Sequence, residues 1–216
     1  MSIVEKVLAT CDRPEPSAIP SRYNTLLIRA ALEGDLVECE NLITNFGADV
    51  NEKGTNGMTC LHAACEKGSM ALIKFFLERG IDINAQEDKE SGGNTPLLIS
   101  IKLGFNDATL FLLNNGADVD IADSNGATPL HIATMKGNLK IVQELLSRGA
   151  NVERVDSGGK TAWYWAHALH YEEIQALLPE QKYNWLKYQE SISPPAPKPK
   201  EDPKAKKGKK GKKGKK

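Results

Sequence analysis

The stretch Ala127-Thr128-Pro129-Leu130-His131-Ile132-Ala133-Thr134-Met135-Lys136-Gly137 is followed, one helical stretch later, by Gly149-Ala150-Asn151-Val152. The same frame recurs along most of the chain. Thr25, Thr59, Thr95, Thr128 and Thr161 open matching blocks, spaced 34, 36, 33 and 33 residues apart by subtraction. A near-constant period of this length is the sequence mark of stacked helical repeats.

Each block carries two short apolar stripes broken by a helix-stopping residue. In the first, Thr25 to Ala31 opens a helix, Gly34 breaks it, and Asp35 is placed to N-cap a second helix bearing Leu36, Val37, Leu42 and Ile43. Gly47 then supplies the left-handed residue that turns the chain. Pro96 and Pro129 fall in the first turn of their helices, where a missing N–H costs nothing, and the Thr before each can cap. Ala30, Ala64 and Ala133 allow close helix approach. Neither stripe can form a core alone, so the expected solution is stacking, with about three or more repeats needed for stability.

The blocks resemble the ankyrin repeat, whose pattern includes Thr-Pro-Leu-His, an Ala pair and a Gly-Ala-Asp-Val-Asn close. The match is dense in 127–152 and 58–84, good in 94–120, and weaker at both ends. In the fifth block His170 stands where the others have Gly, and the closing Gly-Ala-Asp is missing. The resemblance implies an all-α solenoid of antiparallel helix pairs joined by hairpin-like loops over residues 21–178. Its repeats fall at about 21–54, 55–89, 90–122, 123–155 and 156–178.

Residues 1–20 form an N-terminal extension. Ile3, Val4, Val7 and Leu8 suit a two-turn helix that either covers the open end of the stack or docks a partner. Pro14, Pro16 and Pro20 should then stop regular structure. Residues 179–190, with Tyr183, Trp185, Leu186 and Tyr188, read as a C-terminal capping helix; left uncovered, they are an aromatic patch for a partner.

From Gly47, Gly116 and Gly149 to the next block Thr the spacing is 12 residues, but from Gly80 to Thr95 it is 15. The loop 86–93 is therefore three residues longer than its siblings. It is either a tolerated surface insertion or a marker of the binding face.

The formal net charge is zero but strongly segregated. From Ser191 onward there are eleven lysines and two acids, a net of +9; the rest then holds 28 − 11 = 17 basic and 28 − 2 = 26 acidic residues, a net of −9. The segment 191–216 is rich in Pro and Lys and cannot bury enough apolar surface to fold. Lys206, Lys207, Lys209, Lys210, Lys212, Lys213, Lys215 and Lys216 make it an interaction tail for an acidic surface, such as tubulin tails, nucleic acid or anionic lipid. It could also fold back on the acidic body. Lacking arginine and interleaved aromatics, it is unsuited to reading bases.

No charge-free run reaches membrane-spanning length, and the first residues lack the pattern of a secretory signal or a myristoylated glycine. A cytoplasmic address is expected, with cytoskeleton, cilium and nucleus as alternatives. Cys11, Cys39, Cys60 and Cys65 contain no CxxC pair and read as buried, reduced thiols. His167 and His170 are two nitrogens without a third ligand. No phosphate loop and no nucleophile motif is present, so neither a cofactor nor catalysis is expected.

What remains is a binding surface for another protein. In the ankyrin family the histidine of Thr-x-Leu-His bonds the loop backbone, which implies a structural role for His62 and His131. The family's contact positions, carried over one by one, are Thr55, Asn56, Met58, Glu66 and Lys67; Ser91, Asn94, Lys102 and Leu103; Ser124, Asn125, Met135 and Lys136; Ser157 and Lys160. Met58, Leu103 and Met135 are the expected anchors, as apolar side chains at exposed positions.

Overall fold

The computed structural model describes residues 19–179, and their side chains from Thr25 onward. Among the described residues ten α-helices form five antiparallel pairs: α1 Ile19–Glu33 with α2 Leu36–Phe46, α3 Cys60–Lys67 with α4 Met70–Glu78, α5 Pro96–Leu103 with α6 Asn106–Asn114, α7 Pro129–Met135 with α8 Leu139–Ser147, and α9 Ala162–Ala168 with α10 Glu172–Leu177. There is no strand among the described residues, and the expected all-α repeat solenoid is what is found. Helix α1 begins at Ile19, two residues ahead of the expected first repeat. Pro20 therefore does not stop the helix: it sits in the first turn, where no intrahelical N–H is needed. The helices expected over Ile3–Leu8 and 179–190, Cys11 and the lysine tail fall outside the described residues apart from Pro179.

The short helices start and stop where their chemistry dictates. Thr95 and Thr161 cap α5 and α9, each accepting the third N–H of its helix. At α3 and α7 the cap is reciprocal: Thr59 and Thr128 accept from the helix while His62 and His131 accept the Thr backbone N–H. Asp35 caps α2, as expected. The fifth block lacks a glycine here, so His170 itself takes the left-handed conformation, φ 59°.

The core runs continuously along the stack. Ala30, Ala64, Ala133 and Ala166 are each fully excluded from solvent. The small side chain at this place brings first helices together, and Leu27, Leu61, Leu97 and Leu130 fill the layers between them. Two hydrogen-bond ladders then lock one repeat to the next. Along the hairpin tips, the carbonyls of Asn56, Gly92 and Asn125 accept the N–H of Asp88, Ser124 and Ser157, at 2.9, 2.9 and 2.8 Å. Nearer the second helices, Asn51, Asn84 and Asp120 accept through their side chains from the N–H of Asp82, Asp118 and Asn151. The Asp/Asn pairs that close each block are thus the ladder itself.

The longer loop keeps the ladder intact. Its extra length is taken up by a single 3-10 turn, Lys89–Ser91, while Asp88 and Gly92 on either side still make both tip bonds. Gly92 and Gly93 both adopt left-handed conformations to allow this. Lys89, Glu90 and Ser91 are left as an exposed knuckle.

Candidate protein-binding surface

The three central first helices present very little to solvent. Helices α3, α5 and α7 bury the runs Cys60–Cys65, Pro96–Ile101 and Pro129–Thr134 without a break. Only the two residues after each run emerge: Glu66-Lys67, Lys102-Leu103 and Met135-Lys136, the last just past its helix. The packing that builds the stack thus selects which positions a partner can read. The tips supply a second row, in which Thr55, Asn56, Ser91, Ser124, Asn125 and Ser157 are exposed.

Not every expected contact residue stands free. Met58 and Met135 are partly buried and pack against the core, so the expectation that they are apolar side chains at exposed positions does not hold. Each has the hydrophobic body of its own repeat within reach, and an unbranched thioether gains more there than in water. Of the three expected anchors, Leu103 is the one that stands exposed, at 50%. Leu32 and Leu169 occupy comparable places at the ends of α1 and just past α9, and both are exposed. Their spacing relative to the helix-ending Gly34 and to His170 was readable in the sequence.

Asn94, Lys102 and Lys160 spend their polar groups inside the protein. Lys102 Nζ donates to Asn94 Oδ1 at 2.5 Å and pairs with Asp123 at 2.8 Å. Asn94 in turn donates to Glu87 at 2.6 Å. Asp123 is 92% buried, and its other oxygen accepts the N–H groups of Asn125 and Ala127, which offsets the cost of burying the carboxylate. In the fifth repeat Asp156 does the same for Gly158 and Lys160, and its second oxygen accepts the indole N–H of Trp165 at 2.8 Å. The Lys160 ammonium lies over Trp165, 4.6 Å from its ring centre.

The two histidines are structural in detail. His62 Nδ1 accepts from Thr59 N–H at 3.2 Å, and Nε2–H donates to the Asn94 carbonyl at 3.1 Å. His131 repeats this with Thr128 and the Lys160 carbonyl. Burial lowers the pKa of both rings, leaving them neutral. The thiols are equally withdrawn. Burial, helped by the carboxylates of Asp35 and Glu38, pushes Cys39 up to about 12, and burial raises Cys60 and Cys65 as well. Thiols held protonated in this way are poor nucleophiles. His167 stacks on Trp163 at 5.3 Å. No group of three His, Cys, Asp or Glu side chains placed to hold a metal occurs among the described residues. No described helix is long and apolar enough to cross a membrane.

Helical hairpins in register, joined by loop ladders, define a repeat solenoid of the protein-interaction kind. The chain belongs to the ankyrin-repeat family: the family model for ankyrin repeats in three copies matches residues 27–123 and 106–186. It is 36% identical over 62 residues to mouse protein phosphatase 1 regulatory subunit 27, covering 29% of this chain and 40% of that one. It is 37% identical over 67 residues to the NF-kappa-B inhibitor cactus of Drosophila yakuba, covering 31% of this chain and 13% of the relative. An ankyrin repeat protein of Fowlpox virus is 31% identical over 87 residues, 40% of this chain and 45% of the relative. The matched stretches thus span less than half of each relative. Ankyrin repeats imply protein–protein interaction, and that much holds for this chain.

Proposed function

We propose that the chain is a non-enzymatic adaptor that holds a partner protein along the row formed by its hairpin tips and first-helix ends, the concave face of an ankyrin stack. The observation that carries this reading is the selective exposure just described: three consecutive first helices bury six residues in a row and show only the two that follow. Two of the relatives, a phosphatase regulatory subunit and an NF-kappa-B inhibitor, bear names that agree with binding rather than catalysis. The +9 segment from Ser191 adds a second attachment, to an acidic polymer or surface, which raises avidity when both engage together. Cytoplasm, with a cytoskeletal, ciliary or nuclear partner, is the proposed setting.

The test is site-resolved crosslinking on the full-length chain. A photoreactive phenylalanine analogue is placed at Glu66, Leu103 or Lys136 on the row, and at Val37 or Glu173 on second helices, all of which are exposed. Crosslinks to one partner species from the row alone are expected. Equal crosslinking from both sets overturns the assignment of the face. Deleting 194–216 should weaken binding and flatten its salt dependence, since each lysine lost removes a salt-sensitive contact. An unchanged salt titration removes the tail from the mechanism. Retention of tight, steeply salt-dependent nucleic-acid or microtubule binding by the isolated tail would instead make the tail the main binder.

A further inference from the structure

The glycines that end the first helices face different neighbours. A Cβ built at Gly68 would stand 2.9 Å from the Phe105 ring, and one at Gly137 would stand 2.9 Å from the Tyr171 ring. Contacts this close mean that an aromatic ring from the next repeat lies directly on each glycine. A Cβ at Gly34 would stand 3.3 Å from the Lys67 side chain. At Gly104 nothing lies within 4 Å.

The residue responsible is Asn138. Phe105, Asn138 and Tyr171 are equivalent: each follows the residue that ends a first helix. Phe105 and Tyr171 make no side-chain cap and cover the preceding glycine instead. Asn138 turns the other way. Its Oδ1 caps α8, accepting from Ile141 N–H at 3.3 Å, and its Nδ2 donates to Asn106 Oδ1 at 2.6 Å. The space a ring fills elsewhere is left as an open groove of about 480 Å³ lined by Leu103, Gly104, Asn106, Lys136, Asn138 and Leu139, among others.

We propose that this notch is the anchor point of the binding face, and that it takes an aromatic side chain from an acidic segment of the partner. The molecule itself supplies the template for the ring, since the two neighbouring notches of the same build are occupied by Phe105 and Tyr171. Two apolar side chains, Leu103 and Leu139, form the walls. Charge decides the flanks. The groove lining holds two lysines, Lys102 and Lys136, and no carboxylate. Lys136 is exposed and enters no ion pair among the described residues, while Lys102 is paired with Asp123. A partner carboxylate beside the ring therefore meets a free ammonium at the rim. The chain's own lysine-rich tail has the wrong charge for this site. The inference rests on the adaptor reading and narrows it to one junction.

The probe is a pair of synthetic peptides, Glu-Glu-Phe-Glu-Glu and Glu-Glu-Ala-Glu-Glu, titrated into the isotope-labelled full-length chain and followed by amide NMR. The tail lysines attract both peptides alike, so the difference between them isolates the ring. The phenylalanine peptide should shift Gly104 N–H and the side-chain amides of Asn106 and Asn138, with about tenfold tighter binding than the alanine peptide at those resonances. Asn138→Tyr, which plants on Gly104 the ring that Tyr171 plants on Gly137, should abolish the difference. Circular dichroism verifies that the variant is folded, and Asn138→Ser, which keeps the cap but adds no ring, should retain the preference. Equal shifts from both peptides, or a preference that survives in Asn138→Tyr, overturns the notch. Crosslinking from Glu66, Leu103 and Lys136 can succeed even then, so the fate of the wider adaptor reading is read separately.

Discussion

The second and fourth repeats carry His62 and His131 where the third carries Leu98. The two designs build helices of the same kind, Cys60–Lys67 and Pro129–Met135 against Pro96–Leu103, with a Thr cap at each start. They differ in how they reach the next repeat. The imidazoles bond the following loop's backbone, at the carbonyls of Asn94 and Lys160. The third repeat reaches across with a side chain at the other end of its helix, Lys102 to the buried Asp123. It also replaces the Ala64/Ile73 and Ala133/Val142 pairings with Ser100 and Thr109, whose hydroxyls meet at 2.9 Å inside the core. The stack thus requires a tie at each junction but is indifferent to which chemistry makes it. The chemistry chosen sets how each junction responds to its surroundings.

The largest effect should come from removing the ring itself. His131→Ala leaves Thr128 N–H without its acceptor, removes one bond from the Lys160 carbonyl and opens a cavity, for a loss of about 3 kcal/mol in urea unfolding. Leu98→Ala should cost about the same through the cavity alone. If His131→Ala proves near neutral, the imidazole is filling space that solvent can fill equally well, and the tie between repeats lies elsewhere.

Acid separates the two designs more sharply than truncation does. Burial lowers the pKa of both histidines from 6.5, so the unfolded chain binds protons that the native rings refuse. Their contribution is complete above pH 6.5 and is lost as the pH falls below it towards the native-state values. Protonation would also place a hydrogen on Nδ1, facing the Thr59 or Thr128 N–H that now donates to it. A double His62→Leu, His131→Leu variant, which copies the third repeat, should show a flatter stability profile between pH 7 and pH 5. A wild-type profile already flat across that window would contradict the neutral, buried state of the rings.

Much of this arrangement could be read from the sequence, for reasons that differ by residue. The repeat fold was legible because period, residue type and helix breaker recur together, so each block testifies for the others. Asp35 and the Thr caps were legible because capping is local. The burial of Met58 and Met135 was not legible, because their place in the repeat says that the backbone is near the surface, not where a flexible side chain comes to rest. The uses of Asn94, Lys102 and Lys160 were hidden for a related reason: their partners, Asp123 and Trp165 among them, come from folding a loop against a helix end. The notch at Gly104 left a trace that pattern matching passes over. It shows only when Phe105, Asn138 and Tyr171 are aligned and the ringless residue between two ringed ones is found to leave Gly104 uncovered.

The hydroxyl pair of the third repeat gives a smaller, two-part test. Ser100 Oγ donates to the Leu97 carbonyl or engages Thr109 Oγ1, while Thr109 donates to the Phe105 carbonyl. Ser100→Ala alone should cost about 1 kcal/mol. Ser100→Ala with Thr109→Val, which installs the Ala133/Val142 pairing of the fourth repeat, should recover most of that loss in a double-mutant cycle. Strict additivity would mean that the two hydroxyls do not depend on each other.

The smallest effect has the opposite sign. Thr134 in the fourth repeat occupies the place of Cys65 and Ile101, fully buried, and its hydroxyl has no hydrogen-bond partner. Burying an unpaired hydroxyl costs free energy, and Val has the same shape without the polar atom. Thr134→Val should therefore stabilise the chain by roughly 0.5–1 kcal/mol, raising the urea midpoint at constant slope. The comparison of repeats explains why such a residue is tolerated: the fourth junction already has the His131 ring bonded at both nitrogens, and a stack tied in this way can carry one orphaned hydroxyl. Made in the His131→Leu background, Thr134→Val should give the same increment, since the two side chains share no partner. A destabilising Thr134→Val would show instead that the hydroxyl turns to a helix carbonyl in solution, and that the fourth repeat, like the third, uses its hydroxyls.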